Sequence, residues 1–253
     1  MVIALITGAS SGLGEEFARQ LAGRGADVVL VGRDRVALER VRGEIVDRYG
    51  VGVEVLRADL TDGRDRARVV KRLSDRTRPI EVLVNNAGFG LPLAFERNDI
   101  ADEVAHLQVH VDAPMRLMHA ALEPMLERGH GRIINVASVA AFIPRSTYGA
   151  CKRWLVDFSS WANARYGPSG VTVTAVCPGF THTNFHERLG APPGEEGVPD
   201  WMWLDAPDVV AQGLRDAARG KPVSVPSLRY KALVALTRLV PPSVAAAVGE
   251  RGR

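Results

Sequence analysis

At 253 residues, 46% apolar and 24% charged, the chain has the size and balance of one large α/β domain with a continuous buried core. Its formal charge of +3 is spread over 32 basic and 29 acidic residues that interleave along the chain, without the basic face and stacking aromatics of a nucleic-acid interface. The two cysteines, Cys151 and Cys177, lie far apart without metal-ligand spacing and fit small buried residues in a reducing compartment. The apolar start, MVIALI, has no basic leader and meets glycines within a few residues, so neither a signal peptide nor stable membrane insertion is expected, and a cytoplasmic location is.

Short β-branched runs recur at Val2–Ile6, Asp27–Val31, Val53–Leu56, Val82–Val84, Arg132–Val136 and Val171–Val176. Between them Glu15–Arg24, Val36–Arg48, Asp65–Leu73 and Val104–Leu126 carry apolar residues at helical spacing. Runs such as VIALI and DVVLV are continuous rather than alternating, as befits strands buried on both faces. The alternation predicts an α/β fold, a single Rossmann-type domain over residues 1–253 with a doubly wound parallel sheet and helices on both faces. In such a sheet ligands lie outside the carboxyl ends of the strands, so the chemistry is expected just after each one.

The first strand runs into Thr7, Gly8, Ala9, Ser10, Ser11, Gly12, Leu13 and Gly14, and then directly into a helix. Glycines there let backbone N–H groups approach a pyrophosphate, and the helix N-terminus adds partial positive charge. A Gly-rich turn alone is a weak signal; its place between the first strand and the first helix strengthens it. After the second strand come Gly32, Arg33 and Asp34. A carboxylate at this place receives a ribose 2′-hydroxyl, whereas a guanidinium suits a 2′-phosphate, so Arg33 points to NADP(H) over NAD(H). The competing readings make Arg33 a mere neighbour of a helix N-cap, Asp34, or make Asp34 the ribose acid. The third strand is followed by Ala58, Asp59 and Leu60, and the fourth by Asn85, Asn86, Ala87 and Gly88, whose amides and glycine suit a tight turn. Ala137 and Ser138 follow the fifth strand, and Cys177, Pro178, Gly179, Phe180, Thr181, His182 and Thr183 the sixth.

Beyond Pro144 stand Tyr148 and Lys152, one helical turn apart and so on one face of a helix that begins near Ser146. Such a pair arises by chance in many helices. Taken with the Thr7–Gly14 and Asn85–Gly88 motifs, Ser138, Pro178, Gly179 and Thr183, all in order, it makes the chain resemble the short-chain dehydrogenase/reductase family from Val2 to Thr183. The resemblance implies that Tyr148 exchanges a proton with the substrate oxygen and that Ser138 hydrogen-bonds the same oxygen. It implies that Lys152 favours the ionised phenol, whose ordinary pKa is near 10, and also holds the nicotinamide ribose. Cofactor contacts are implied for Gly8, Ser10, Ser11, Gly12, Leu13, Gly14, Arg33, Asp59, Leu60, Asn86, Ala87, Gly88, Tyr148, Lys152, Pro178, Gly179, Thr181 and Thr183.

Two departures stand out. His110 occupies the place where the family usually has an Asn that helps hold a proton-relaying water. An imidazole both donates and accepts, so His110 is a candidate relay residue; the alternative is a packed helix residue. Ser138 precedes Tyr148 by ten positions, fewer than the family's commonest spacing, so the intervening loop is short. Serine and tyrosine are still expected to converge.

The family's variable substrate lid falls at about Thr183–Leu204, with Phe185, Leu189, Trp201, Met202 and Trp203 around a Pro/Gly/Glu-rich stretch. The two tryptophans read equally as core ahead of a helix capped by Asp205. Trp154, Phe158 and Trp161 form a stripe at helical spacing that is core or, as the resemblance implies, part of a homodimer or homotetramer interface. The segment Leu228–Val248 reads as packed helix in preference to an interface or membrane-surface contact. The expected activity is NADP(H)-dependent reduction of a hydrophobic ketone to a secondary alcohol, or the reverse. A non-catalytic NADP(H)-binding sensor is the alternative, and an extended-type epimerase is disfavoured by the glycine spacing and the short chain after Thr183.

Overall fold

The computed structural model describes residues 2–144, 146–183 and 198–237. Its strands are β1 (Ile3–Thr7), β2 (Asp27–Gly32), β3 (Val53–Arg57), β4 (Val82–Asn85), β5 (Gly131–Val136), β6 (Val171–Val176) and β7 (Val223–Ser224). The helices are α1 (Gly12–Ala22), α2 (Arg35–Tyr49), α3 (Gly63–Leu73), α4 (Ile100–Leu107), α5 (Ala113–Arg128), α6 (Thr147–Tyr166), α7 (Ala206–Ala218) and α8 (Leu228–Thr237). The strands form one parallel sheet in the order β3-β2-β1-β4-β5-β6-β7. The chain steps outward from β1 to β3 and then returns beside β1, which opens a crevice between β1 and β4 at their carboxyl ends.

The continuous apolar runs are buried on both faces, as their sequence implied. Ala4 and Ile6 of β1 pack on one side with Phe17, Leu38, Ile45 and Leu214, whereas Ile3 and Leu5 face Leu73, Leu117, Met118 and Met125 on the other. Burial of an aliphatic side chain contributes about 1.5–3 kcal/mol, so these layers hold the crevice on a stiff base. Both cysteines are buried and free, as expected. Among the described residues no helix is long and apolar enough to cross a membrane.

Three elements depart from the sequence reading. The edge strand β7 was not foreseen, because two residues after a proline carry no periodic signal. Helix α1 begins at Gly12 rather than Glu15, so the second half of the glycine motif is its first turn. The helix expected over Val104–Leu126 starts at Ile100 and is widened by a π turn over Gln108–Asp112, closed by the Ala113 N–H donating to the Gln108 carbonyl. Pro114 supplies the reason: it has no N–H for the His110 carbonyl, and its ring crowds that carbonyl. The widened turn contains His110.

Candidate active site

The crevice opens into a cleft of about 610 Å³ lined from β1, β2, β3, β4, β5 and β6 and by the start of α6. One end is a glycine cradle. Gly8 and Gly12 have φ of 67° and 57°, the left-handed region that glycine enters without strain. A Cβ on Gly8 would lie 2.8 Å from Asn86 Nδ2, and one on Gly14 would strike the Gly8 carbonyl. Asn86 ties the cradle to β4, with Nδ2 donating to the Thr7 carbonyl at 3.0 Å and the Gly8 carbonyl at 3.3 Å. The Thr7 hydroxyl accepts in turn from the Asn86 and Ala87 N–H groups, at 3.0 and 3.1 Å. The result is a bare loop at the N-terminus of α1, a geometry suited to a diphosphate.

Gly32, Arg33, Asp34, Ala58, Asp59 and Leu60 line the adjoining rim. Asp34 is the N-cap of α2, its Oδ1 accepting from the Ala37 N–H at 3.0 Å, so this carboxylate is engaged. Arg33 is exposed, and among the described residues no carboxylate lies within ion-pair distance of it. Asp59 is half-buried and locally engaged, its Oδ1 accepting from the Thr61 N–H and hydroxyl at 2.9 and 2.7 Å. The cleft's other wall is the loop after β6, where Pro178, Gly179, Phe180, Thr181 and Thr183 line it and Thr183 abuts Gly12.

At the centre, Ser138 and Tyr148 share a hydrogen bond between their hydroxyls. The shorter loop does not separate them, because Val139–Phe142 winds into a 3₁₀ turn whose Ala140 N–H donates to Ser138 Oγ at 3.1 Å. Ser146 then caps α6, its Oγ accepting from the Gly149 N–H at 3.0 Å, which fixes Tyr148 in the first turn. Lys152, buried one turn on, donates from Nζ to the Val136 carbonyl at 2.7 Å and lies 5.5 Å from the centre of the Tyr148 ring.

The electrostatics correct one expectation. Lys152 was expected to draw the phenol's pKa down; instead burial pushes Tyr148 up to about 12, with the Ser138 hydroxyl pulling the other way. The ammonium lies over the Tyr148 ring, and burial brings Lys152 itself down to about 8. Both groups therefore start buried, the phenol holding its proton far more tightly than the ammonium. A neutral Tyr148 is a proton donor at pH 7.

His110 lies in this cleft, buried, its ring edge-on to Tyr148 with centres 5.5 Å apart. Gly88 makes room for it, since a Cβ there would lie 2.5 Å from His110 Cε1. Desolvation, then the Lys152 charge, hold His110 well below the ordinary imidazole range.

A family model for short chain dehydrogenase matches residues 2–193. The chain belongs to the short-chain dehydrogenase family. A solved short-chain dehydrogenase from Sphingobium yanoikuyae in complex with NADPH is 34% identical, with 94% of each chain covered and a TM-score of 0.85. The bulky-bulky ketone specific alcohol dehydrogenase of Comamonas testosteroni is 31% identical, with 94% of this chain and 92% of that one covered and a TM-score of 0.81. The 3-oxoacyl-acyl-carrier-protein reductase of Synechocystis sp. is 32% identical over 201 residues, which are 78% of this chain and 81% of that protein. This dehydrogenase is thus an oxidoreductase with the family's parallel sheet.

Sequence reasoning left out several residues that line or support this dehydrogenase's cleft. Phe89 and Leu91 follow the Asn85–Gly88 motif into the lining, and Ile143 closes the loop side. His106, buried beneath His110, stood one turn before it in the sequence, a spacing that pointed to one helix face. Tyr230 of α8 had no local signal. Its ring fills the space a Cβ on Gly179 would take, and its hydroxyl accepts from the Phe180 N–H at 3.1 Å and donates to the Met202 carbonyl at 2.9 Å. The described part of the segment expected at Leu228–Val248 is a helix that packs through Tyr230 and Val234 and leaves Leu228, Leu233 and Leu236 exposed. Of the expected lid, Phe185 and Leu189 lie outside the described residues. Trp203 packs with Phe180 and stacks on His182 at 4.8 Å, whereas Trp201 is exposed. Trp154 and Phe158 stack at 5.0 Å against the core, and Trp161 is exposed at the end of that stripe.

Proposed function

We propose that this protein is an NADP(H)-dependent reductase of hydrophobic ketones, run by Tyr148, Ser138 and Lys152. The observation that supports it best is the hydrogen-bonded Ser138–Tyr148 pair over Lys152, standing in the same cleft as the glycine cradle. The cradle residues fit a dinucleotide: bare glycines and the α1 N-terminus for the diphosphate, Asp59 and Leu60 beside an adenine, Arg33 for a 2′-phosphate, and Lys152 for the nicotinamide ribose. NADPH, when bound, supplies the hydride.

The protein's own part is proton transfer and charge stabilisation. A carbonyl reduced by hydride becomes an alkoxide, and the Tyr148 hydroxyl donates its proton to that oxygen while the Ser138 hydroxyl hydrogen-bonds it. Burial keeps Tyr148 protonated until it is needed. Lys152 steadies the phenolate left behind, and His110 is the candidate to return a proton. Phe89, Leu91, Leu93, Ile143 and Phe180 make the substrate end apolar, which suits a bulky ketone. The bulky-ketone specificity named for the Comamonas relative agrees with this reading. Exposed Ile100, Val104 and Leu107 on α4 and Trp161 on α6 offer apolar surface to a second copy, which a mass measurement in solution tests.

The deciding experiment follows NADPH and NADH oxidation over a panel of bulky ketones, 3-oxoacyl thioesters, steroids and aldehydes. Turnover with NADPH preferred supports the reading. Tight NADPH binding with no turnover of any member refutes it in favour of a binding protein.

A further inference from the structure

The cleft wall at Ala58, Asp59 and Leu60 follows β3, the edge strand of the sheet, which has a strand neighbour on one side only. The Ala58 N–H still reaches β2, donating to the Gly32 carbonyl at 2.8 Å. Side chains of α3 hold the backbone around it. The Arg57 carbonyl accepts from Arg68 Nη2 at 2.6 Å, the Asp59 N–H donates to Asp65 Oδ2 at 2.9 Å, and the Leu60 carbonyl accepts from Arg66 Nη1 at 2.8 Å. Asp62 caps α3, accepting from the Arg64 and Asp65 N–H groups, which fixes the first turn from which Asp65 and Arg66 project.

Arg66 also reaches a second element. Its Nη2 lies 3.4 Å from Asp112 Oδ2, and Asp112 belongs to the π turn that carries Val109 and His110. Leu60, Val109 and His110 line the cleft, and Arg66 does not. Its side chain is only 14% exposed. Taking a guanidinium that far from water is costly unless its donors are matched, and here separate nitrogens serve a carbonyl and a carboxylate. Arg116, which pairs with Asp112 Oδ1 at 2.8 Å, is exposed, and such a surface pair contributes little.

We propose that Arg66 is a positioning residue for the dinucleotide, a bridge that sets the spacing between Leu60 and the π turn and so the fit of the cleft around the adenine half. The assignment rests on the dinucleotide reading of the cleft given above. Leu60 moves with its carbonyl, and Val109 moves with the turn that Asp112 anchors. Without the guanidinium, a loop beyond an edge strand loses its tie to the opposite wall, so binding has to order it and affinity falls.

Calorimetric titration with NADPH, and with 2′,5′-ADP as its adenine half alone, tests the bridge without turnover. Arg66→Met should weaken both by the same factor, roughly ten-fold or more. Arg66→Lys offers one nitrogen for two partners and should fall between, which keeps the test open if Arg66→Met does not fold. Asp112→Asn leaves the Leu60 bond in place and should show a smaller loss. The double variant of Arg66→Met and Asp112→Asn should bind no worse than Arg66→Met, since the two residues act through one contact. NMNH, which lacks the adenine half, should bind the Arg66→Met protein as it binds the wild type, whereas a merely loosened fold would weaken it too. Wild-type affinity for NADPH and 2′,5′-ADP in the Arg66 variants, equal weakening of NMNH, or additive losses in the double variant each overturn the assignment alone. If the wild-type protein binds neither NADPH nor 2′,5′-ADP, the dinucleotide reading fails and takes the assignment with it.

Discussion

The Ser138 hydroxyl, just beyond β5, is hydrogen-bonded to the Tyr148 hydroxyl in the first turn of α6, across a loop only ten positions long. Two local caps make this possible: the 3₁₀ turn closed on Ser138, and Ser146 at the start of α6. Tyr148→Phe removes the proton and keeps the ring, so kcat should fall by roughly 10²–10⁴ while NADPH affinity is unchanged. Steady-state turnover beside a fluorescence titration checks both halves. Retained turnover removes Tyr148 from the proton-transfer role.

Arg33 stands exposed at the cleft rim while Asp34 is committed to capping α2. Arg33→Ala should weaken NADPH binding roughly ten- to a hundred-fold, the size of a lost charge-assisted contact, and barely alter NADH binding. Equal losses for the two dinucleotides would sink the 2′-phosphate assignment.

His106 ties stability to pH. Burial brings it from an ordinary 6.5 down to about 4, so below 6.5 the unfolded chain binds a proton that the folded chain does not. Its contribution is complete above pH 6.5 and is lost as pH falls towards 4, amounting to roughly 3 kcal/mol. Urea unfolding at several pH values should show a steeper acid loss in the wild type than in His106→Phe. Parallel curves would mean that His106 charges freely in the folded state.

Tyr230 joins the two ends of the segment between β6 and α7, through Phe180 at one end and Met202 at the other. Tyr230→Phe leaves that N–H and that carbonyl without their partner and should cost about 1–3 kcal/mol. Because Gly179 and Phe180 line the cleft, the KM for NADPH should rise as well. Unchanged melting temperature and KM would show the hydroxyl to be dispensable.

The sequence by itself determined the sheet and most of the cleft's wall. Strands buried on both faces must be continuous apolar runs, and glycines are required wherever backbone comes within a Cβ of backbone, as at Gly8 and Gly14. The strand rule and the Gly8–Gly14 contact act between near neighbours in the chain and leave a local pattern, although the Asn86 and Ala87 atoms that Gly8 makes room for come from far along it. Only the tertiary structure decided the rest. Tyr230 reaches Gly179 from fifty-one positions away in the numbering, the π turn at His110 follows from Pro114 crowding a carbonyl already in a helix, and the Tyr148 pKa is set by burial that no single segment provides. The two histidines belong to the same class: His106 and His110 share a helix face by spacing, but their bearing on Cys151 and Tyr148 exists only because α4 and α6 pack together. Packing and desolvation are properties of the assembled chain, and they fix which of the sequence's candidate groups meet and with what proton affinity.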